Sequence, residues 1–386
     1  MITATKNISS TDTTVASKPI RVLLAAGGTG GHVYPAISIA DAIMEKQPES
    51  KLLFVGTKDR MEWETVPKAG YAIKSVWISG FHRRLTPQNL LFPLKLTTSL
   101  VQSLSILIRF RPDVVVACGG FAAGPVGWVA GKMGIPVVLQ EQNSYPGVTN
   151  RILAKNAHTI FTAFKAADDH FPAGKTKLTG NPIRSKLQPV SKEKAAAEFS
   201  LNPDKPVILI LGGSGGALKI NETIDNNIEV LHNDMGLQLI WQCGPGYYPE
   251  LSKRISVADY PNMRLMDYIN DMNSAYGTAD LVVSRAGAST CSEIMAVGKA
   301  SVLIPSPNVA GDHQTKNAEA LAEHEAAILL PENEIENRFL NIVKELINDD
   351  EKRNRMSENA LKLAKSNAAE NIAESIFKIA EEKRNA

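Results

Sequence analysis

A strand, a glycine turn and a helix are predicted, in that order, near the start of each half of this chain. Residues 20–26 are an apolar run, and Gly-Gly-Thr-Gly-Gly follows at 27–31. The same order returns where an apolar run at 207–211 precedes Gly-Gly-Ser-Gly-Gly at 212–216. Continuous short apolar runs are typical of parallel strands that are buried on both faces. Each half is therefore predicted to build its own parallel sheet.

A later strand and glycine turn, at Gly119 in the first half and Gly287 in the second, extends this similarity. A length of 386 residues also suits two domains with separate cores. The predicted fold class is α/β, with two Rossmann-like doubly wound domains that face a cleft. The predicted divisions are a disordered tail at 1–18, a first domain at 19–182, a second domain at 183–366, and a C-terminal helix at 367–386 that could pack back on the first domain.

Composition argues against several classes of protein. The net charge is +2, which gives no electrostatic argument for binding nucleic acid. The three cysteines, at 118, 243 and 291, form no Cys-x-x-Cys pair, so neither a disulfide framework nor a thiolate metal site is expected. No signal peptide is recognised, and the most apolar window, at 90–110, is too polar to be a spanning helix.

The ten residues from 284 to 293 follow a short apolar run and lead into a helical pattern. Gly287 removes a Cβ where a ligand could approach the backbone. The amides of residues 288–290 would then point out of a helix N-terminus, where the dipole favours an anion. A diphosphate bound there would leave Glu293 within reach of a ribose diol. The alternative is that Thr290 and Glu293 form only a capping box.

The first glycine turn, at 27–31, matches neither common nucleotide-binding motif. Val33 stands where a dinucleotide fingerprint has its third glycine, and no Gly-Lys-Ser/Thr follows as in a P-loop. The turn can still bring backbone amides close to a ligand, ahead of a helix predicted at about 33–46. His32 lies at the mouth of this turn, where it either takes part in the chemistry or makes a helix-capping hydrogen bond.

Two further stretches carry polar groups at predicted junctions. Glu-Gln-Asn at 141–143 ends the strand predicted at 136–140, and α/β sheets bind ligands at this end of their strands. The stretch 178–184 contains Asn-Pro, which favours a turn, and is predicted to be a hinge. Arg184 would supply a positive charge beside it.

Five motifs occur in order along the chain and together resemble the MurG family of bacterial cell-wall N-acetylglucosaminyltransferases, in glycosyltransferase family 28. They cover the chain from about residue 19 to its end, and their combination is far more specific than any one alone. The motifs are Gly-Gly-Thr-Gly-Gly-His-Val-Tyr-Pro (27–35), Glu-Gln-Asn-x3-Gly-x-Thr-Asn (141–150), Gly-Asn-Pro-Ile-Arg (180–184), Ser-Arg-Ala-Gly-Ala-Ser-Thr-x-Ser-Glu (284–293) and Asp-His-Gln-x2-Asn-Ala (312–318).

The resemblance implies a GT-B fold and a defined reaction. GlcNAc would pass from UDP-GlcNAc to the C4 hydroxyl of MurNAc in undecaprenyl-diphosphate-MurNAc-pentapeptide (lipid I), giving lipid II. The first domain would hold the lipid acceptor and the second the UDP-sugar. The implied location is peripheral, on the cytoplasmic face of the cell membrane. An anionic membrane surface and the cell-wall and division machinery are the other partners considered.

The resemblance also assigns donor contacts residue by residue. Gly215 departs from the family, which often has Gln there, and this puts one side-chain contact to the nucleotide in question. The implied contacts are Thr29, Gly30 and Gly31 for the diphosphate and sugar, Asn143 for GlcNAc, Arg184 and Ser214 for the phosphates or nucleotide, Ile269 near uracil, Ala288, Ser289, Thr290, Cys291, Ser292 and Glu293 for the α-phosphate and ribose, and Gln314 for a GlcNAc hydroxyl.

An α-linked donor and a β-linked product imply inversion by a single displacement. No Asp-x-Asp pair is placed to hold a metal, so helix N-termini and Arg184 are predicted to stabilise the leaving UDP, with no metal or cofactor. His32 is the first candidate for the general base, because an imidazole can be neutral and basic at pH 7. Glu141 is the second candidate.

Two other functions and one surface remain open from sequence. Another GT-B enzyme, such as a UDP-GlcNAc 2-epimerase or a glycolipid synthase, would share these features. An NAD-dependent oxidoreductase is disfavoured by the broken fingerprint and by the lack of an acidic residue ending the second strand. Segment 81–111 combines basic and apolar residues, which predicts either a membrane contact or a core-facing helix with solvated ends.

Overall fold

The structure contains two parallel β-sheets, each covered by helices on both faces, which confirms the predicted α/β class with two doubly wound domains. Three predicted features lie wholly or partly outside the residues that are described: most of the N-terminal tail (1–17), residues 81–90 of the segment 81–111, and Arg184. This computed structural model describes residues 18–80, 91–183, 187, 190–256, 258–365 and 367–385.

The first sheet has seven parallel strands in the order β3-β2-β1-β4-β5-β6-β7. Leu23 of the central strand pairs with Leu53 on one side and with Val115 on the other. The strands are β1 (Arg21–Ala26), β2 (Lys51–Gly56), β3 (Ile73–Ser75), β4 (Val114–Gly119), β5 (Val137–Glu141), β6 (Thr159–Thr162) and β7 (Thr176–Leu178).

Alternate residues along these strands enter different cores, as expected for a sheet buried on both faces. Val22 and Leu24 pack on the side of the first helix, whereas Leu23 and Ala25 face the opposite layer. The helices of this domain are α1 (Gly30–Lys46), α2 (Glu62–Lys68), α3 (Phe92–Phe110), α4 (Ala123–Lys132) and α5 (Val148–Ala154). Helix α1 begins three residues before the predicted start at 33, so His32 lies within its first turn.

The second sheet has six parallel strands in the order β10-β9-β8-β11-β12-β13. Its strands are β8 (Val207–Leu211), β9 (Gln238–Gln242), β10 (Met263–Met266), β11 (Leu281–Ser284), β12 (Ser301–Leu303) and β13 (Ile328–Leu329). Its helices are α6 (Lys192–Glu198), α7 (Leu218–Asn226), α8 (Tyr248–Arg254), α9 (Met272–Thr278), α10 (Ala288–Val297), α11 (His313–Ala322), α12 (Ile335–Asn348) and α13 (Asp350–Leu363).

Each sheet reverses its winding direction at its central strand pair. In the first sheet β1 lies between β2 and β4, and in the second β8 lies between β9 and β11. Doubly wound sheets bind ligands outside the carboxyl ends of the strands at such a switch point. The glycine turns after β1 and β4, and those after β8 and β11, therefore lie where ligand sites are expected.

The last helix, α14 (Ala368–Asn385), packs on α1 of the first domain. Ile372 and Ile376 are fully buried in the core of that domain. At the end of α14 an Arg384 guanidinium nitrogen lies 2.7 Å from an Asp113 carboxylate oxygen. The chain thus returns to the domain in which it began. Within the described ranges, no helix combines the length and apolarity needed to cross a membrane.

Candidate active site

The first glycine turn connects β1 to α1 and exposes the start of that helix. Gly28 has φ +91°, a left-handed conformation that favours glycine over other residues. Thr29 is extended and is the N-cap residue, and its carbonyl accepts the amides of His32 and Val33 at 3.1 and 3.2 Å. The turn therefore presents its own backbone, together with the Thr29 hydroxyl, at the carboxyl edge of the sheet.

His32 lies on this turn with its ring held on two sides. Its Nδ1 atom is 3.1 Å from the Thr29 hydroxyl oxygen, so the residue does contact the helix cap. Its other edge lies against Gly119, where an added Cβ would come within 2.9 Å of Nε2. The glycine turn after β4 therefore makes the space that the imidazole occupies.

The imidazole is held neutral. The pKa of His32 is lowered from its usual 6.5 to about 4, first by burial and then by the charge of His313, at the start of α11 in the second domain. A hydrogen bond to the Gly27 backbone and the Glu62 carboxylate act in the opposite direction. His32 is therefore unprotonated, and able to accept a proton, at pH 7.

Glu141 is almost completely buried at the end of β5 and organises the loop that follows. Its Oε1 accepts the backbone and side-chain amides of Asn143 at 3.0 and 3.2 Å. Its Oε2 accepts the amides of Gly147 and Asn150 at 3.1 and 2.9 Å. Burial raises its pKa, while these hydrogen bonds lower it. Both oxygens are engaged within the loop, an arrangement suited to holding Asn143 in place.

In the second domain, helix α10 starts at Ala288 with Gly287 as its N-cap, and no side chain caps it. Thr290 therefore lies inside the first turn, and the alternative in which Thr290 and Glu293 form a capping box is wrong. The first-turn amides of α10 have no carbonyl partner within the helix and point outward. This geometry, together with the helix dipole, is suited to binding an anion.

The side chains at the start of α10, from residue 289 to residue 293, differ in their contacts. The Ser289 hydroxyl is buried and has no hydrogen-bond partner among the described residues. The Ser292 hydroxyl donates to the Ala288 carbonyl at 2.8 Å, and Glu293 accepts from the Tyr276 hydroxyl at 3.0 Å. Cys291 is fully buried, and burial raises its pKa to about 12, so this thiol packs rather than reacts.

Both halves of the chain match models of a known family. Residues 22–162 match the glycosyltransferase family 28 N-terminal domain, and residues 207–376 match the glycosyltransferase family 28 C-terminal domain. The chain belongs to glycosyltransferase family 28. This membership confirms the resemblance inferred from the five motifs.

Relatives within family 28 are similar over nearly their whole length. A protein of Christiangramia forsetii is 47% identical over 362 residues, which are 93% of this chain and 98% of that protein. One from Bacteroides thetaiotaomicron is 45% identical over 367 residues, 94% of this chain and 99% of that protein. Both are named UDP-N-acetylglucosamine–N-acetylmuramyl-(pentapeptide) pyrophosphoryl-undecaprenol N-acetylglucosamine transferase.

Solved structures show the same architecture. The crystal structure of Acinetobacter baumannii MurG superposes with a TM-score of 0.74 at 29% identity, covering 93% of this chain and all of that chain. The S. aureus MnaA–UDP co-structure has a TM-score of 0.65 at 15% identity, covering 92% of this chain and 94% of that chain. The second comparison supports the shared fold alone.

Asn317, on α11 of this family 28 chain, joins the two domains. It is fully buried, and its Oδ1 accepts both the backbone amide and the hydroxyl of Ser144, each at 3.0 Å. Its Nδ2 donates to the Ala286 carbonyl at 3.2 Å and lies 3.4 Å from Asn143 Oδ1. Asn317 thus connects the loop after β5 to the turn before α10. Sequence reasoning quoted this residue within a motif but gave it no role.

The remaining predicted donor contacts are distributed over the second domain. Ser214 is exposed and borders the same cleft, of about 620 Å³, as Gly28, Thr29 and Gly30 of the first domain. Ile269 is buried, and its amide donates to the Gln242 side chain at 3.0 Å, so its side chain packs in the core.

Gln314, on the first turn of α11, uses its side-chain oxygen to accept the Ser306 amide at 2.8 Å. This bond ties the start of α11 to the loop after β12. His313 and Asn317, on the same helix, act on His32 and Ser144 of the first domain. Helix α11 is therefore one of the elements of the second domain that reach the first-domain side of the site.

Sequence reasoning also missed Glu62, at the start of α2. This carboxylate is fully buried beneath the first glycine turn and accepts the Gly28 amide at 3.0 Å. Its surroundings come from separate parts of the chain, so spacing along the sequence gave no signal for it. Among the described residues, no group of three or more His, Cys, Asp or Glu side chains is placed to hold a metal ion.

Proposed function

We propose that this chain transfers GlcNAc from UDP-GlcNAc to the C4 hydroxyl of MurNAc in lipid I, giving lipid II and UDP. The observation that carries the proposal is the contact between α1, which bears His32, and α10, whose N-terminus is open to an anion. A base and an anion site on opposite domains are what a two-substrate transfer needs. The names of the relatives at 45–47% identity support this choice of donor and acceptor.

The donor would bind to the second domain. Its diphosphate accepts the first-turn amides of α10, with the unpartnered Ser289 hydroxyl as a further donor. Glu293, positioned by Tyr276, accepts from the ribose hydroxyls. Arg184 is proposed to add positive charge as UDP leaves. Fixed dipoles of this kind stabilise charge that develops in the transition state, without having to reorganise.

The acceptor hydroxyl would approach from the first domain. His32 Nδ1 faces the Thr29 hydroxyl, and we propose that the MurNAc C4 hydroxyl takes that place. As the hydroxyl oxygen bonds to the anomeric carbon of GlcNAc, its proton moves to His32 and the bond to UDP breaks with inversion. Glu141, the second candidate base, already accepts hydrogen bonds on both oxygens, so we propose that it positions Asn143 for the sugar.

The test is transfer of labelled GlcNAc from UDP-GlcNAc to a lipid I analogue by the full chain. We expect a labelled disaccharide product and an equal amount of UDP. His32→Gln should lower kcat by about 100-fold or more, with little change in the donor KM. His324→Gln, at an exposed histidine of the second domain, is the matched control and should behave as wild type.

Two results would refute the proposal. One is a correctly folded protein that forms no transfer product from UDP-GlcNAc and the acceptor. The other is conversion of UDP-GlcNAc to UDP-ManNAc when no acceptor is present, which would identify an epimerase. A His32→Gln enzyme with near-normal kcat would leave the transfer reaction standing but remove His32 as its base.

A lipid acceptor requires the enzyme to reach a membrane surface, and we propose a peripheral contact through the first domain. The helices α3, α4 and α5 are neighbours and expose large apolar side chains. Exposed apolar patches with a polar rim mark interaction surfaces. The exposed apolar residues of these helices are Leu94, Leu96, Val101, Leu104, Ile108, Trp128, Val148 and Ile152.

Basic residues accompany this apolar surface. Lys95 and Lys132 lie 5.8 and 5.7 Å from the rings of Trp77 and Trp128, both of which are exposed. Positive charge beside apolar side chains favours an anionic bilayer face. The predicted contact, 81–111, thus extends in our proposal to α4 and α5, while its residues 81–90 lie outside the described ranges.

Co-sedimentation with phosphatidylglycerol vesicles tests this placement. The double variant Val101→Glu/Ile108→Glu should reduce the bound fraction at least fivefold, because each side chain is more than half exposed in the patch. Leu218→Glu, at a leucine that is 54% exposed on the second domain, is the matched control. Equal loss of binding in both variants, or in neither, would argue against the patch.

A further inference from the structure

Glu62 is a buried carboxylate with a full set of hydrogen bonds, directly beneath the first glycine turn. Its Oε2 accepts the backbone amide of Gly28 at 3.0 Å. Its Oε1 accepts the backbone amide and the hydroxyl of Thr57 at 3.0 and 2.8 Å. Burying a carboxylate is costly unless it is paired or hydrogen-bonded, and here both oxygens are engaged. The chain therefore retains a negative charge in the interior at this point.

Two glycines make the space for this side chain: Gly27, directly after β1, and Gly56, the last residue of the neighbouring strand β2. A Cβ on Gly27 would come within 2.6 Å of Glu62 Oε1, and a Cβ on Gly56 within 2.5 Å of its Cγ. Neither glycine has a left-handed φ, so backbone conformation does not explain their identity. The simplest physical reason for both is that the Glu62 carboxylate occupies the volume in which their side chains would lie.

The peptide group between Gly27 and Gly28 links Glu62 to His32. Its N–H donates to Glu62, and its carbonyl belongs to Gly27, whose backbone is hydrogen-bonded to the His32 ring. That bond favours the protonated ring, so the acceptor is the Gly27 carbonyl oxygen. Carboxylate, peptide and imidazole therefore form one hydrogen-bonded chain.

The glycine turn after β4 shows which ring nitrogen takes part. A Cβ on Gly119 would lie 2.9 Å from His32 Nε2, and a Cβ on Gly120 would lie 2.1 Å from the Gly27 carbonyl oxygen. Nε2 and this carbonyl thus face the same turn. Nδ1 faces the Thr29 hydroxyl instead. A ring proton on Nε2 would therefore donate to this carbonyl and leave the lone pair on Nδ1, on the side of the Thr29 hydroxyl.

We propose that Glu62 is a positioning residue that acts on His32 through the Gly27–Gly28 peptide group. It fixes Nδ1 as the basic nitrogen and stabilises the imidazolium that forms when Nδ1 takes the acceptor proton. Hydrogen bonds in a chain polarise one another, so a carboxylate on the N–H strengthens the carbonyl as an acceptor. The charge of His313, across the cleft, opposes this effect. The inference rests on the proposed role of His32 as the base.

Glu62→Gln is the test, because it keeps the shape of the side chain and removes its charge. We expect kcat for GlcNAc transfer to fall about tenfold, with the KM for UDP-GlcNAc within about twofold of wild type. Nitrogen-15 spectra of histidine-labelled protein, with His32 identified through His32→Gln, should show the Nε2–H tautomer in wild type and a mixture of tautomers in Glu62→Gln. The control is Glu45→Gln, at an exposed carboxylate on the same helix as His32.

The outcomes separate this inference from the proposed function. Loss of transfer in His32→Gln, with wild-type kcat and an unchanged tautomer in Glu62→Gln, would overturn the inference alone. Normal transfer in His32→Gln would refute the catalytic role of the base itself. If Glu62→Gln does not fold, Glu62→Asp, which keeps the charge but shortens its reach to Gly28, is measured in the same way. A wild-type rate and tautomer in that variant would also overturn the inference.

Discussion

Lowering the pH from 7.5 to 5.5 tests the environment of His32 in the uncomplexed enzyme. Burial, reinforced by the charge of His313, lowers the pKa of His32 to about 4. A base must be unprotonated to act, and kcat/KM reports the protonation state of the free enzyme. We therefore expect the contribution of His32 to kcat/KM to remain almost constant over this range.

The magnitude follows from the two pKa values. At pH 5.5 a group with a pKa of about 4 is roughly 3% protonated, whereas an ordinary histidine with a pKa of 6.5 is roughly 90% protonated. The first case predicts that kcat/KM falls by only a few per cent between pH 7.5 and 5.5. The second predicts a fall of about tenfold.

The assay is the initial rate of transfer at low concentrations of both substrates, measured in steps of half a pH unit. Folding must be checked in parallel, because the same shift destabilises the protein in acid. The unfolded state binds a proton near pH 6.5 that the folded state refuses until about pH 4, so stability falls as the pH drops through this window. At pH 5.5 this amounts to at most about 1.4 kcal/mol.

A tenfold fall of kcat/KM centred near pH 6.5 would refute the reasoning, provided that thermal melting shows the protein to be folded over the whole pH range. His313→Gln provides an internal check, because removing the opposing charge should raise the pKa of His32. The acid limb of the profile should then move to higher pH in that variant. A limb that moves to lower pH would contradict the assigned electrostatics.

Three substitutions test other parts of the structure. Asn317→Ala removes the acceptor of the Ser144 amide and hydroxyl at the domain contact, and should lower kcat/KM for transfer at least tenfold. An unchanged kcat/KM would show that this contact is dispensable. Gly298 has a left-handed φ of +62°, and the Cβ added by Gly298→Ala would clash with the Leu361 side chain. The variant should lose about 1–3 kcal/mol of unfolding free energy in urea, and a midpoint equal to that of wild type would contradict this expectation. Ile376→Ala empties a fully buried site between α14 and the first domain, and should cost about 2–5 kcal/mol in the same assay; a loss below about 1 kcal/mol would mean that α14 is not part of that core.

The sheets and the glycine turns were predictable because their causes are local. Apolar runs such as 207–211 can be buried on both faces only in a parallel sheet, and the structure places that run in β8. Gly28 and Gly213 have φ values of +91° and +81°, so the glycine itself reports the turn. The helix start with the amides of residues 288–290 in its first turn was also predicted, and only the capping-box alternative at Thr290 is wrong.

The roles of Glu62 and Asn317 could not be predicted, because their causes are not local. Nothing in the spacing of residues around Glu62 indicates that Gly27 and Gly56 leave space for its carboxylate. Asn317 has its partners, Ser144 and Ala286, in two different parts of the chain. Such residues become visible only when the tertiary packing brings the groups together.

The N-termini of α1 and α10 both lie at the cleft and produce similar electrostatic fields, but the groups beside them have different functions. A helix N-terminus favours negative charge and disfavours a cation beside it. At α10 this field suits the departing diphosphate, and at α1 it has the same sign as burial and the charge of His313, which keep His32 neutral before reaction. A neutral base must still accept a proton during transfer, which the same field opposes. The buried charge of Glu62, relayed through the Gly27–Gly28 peptide, supplies the compensation that α1 requires and α10 does not.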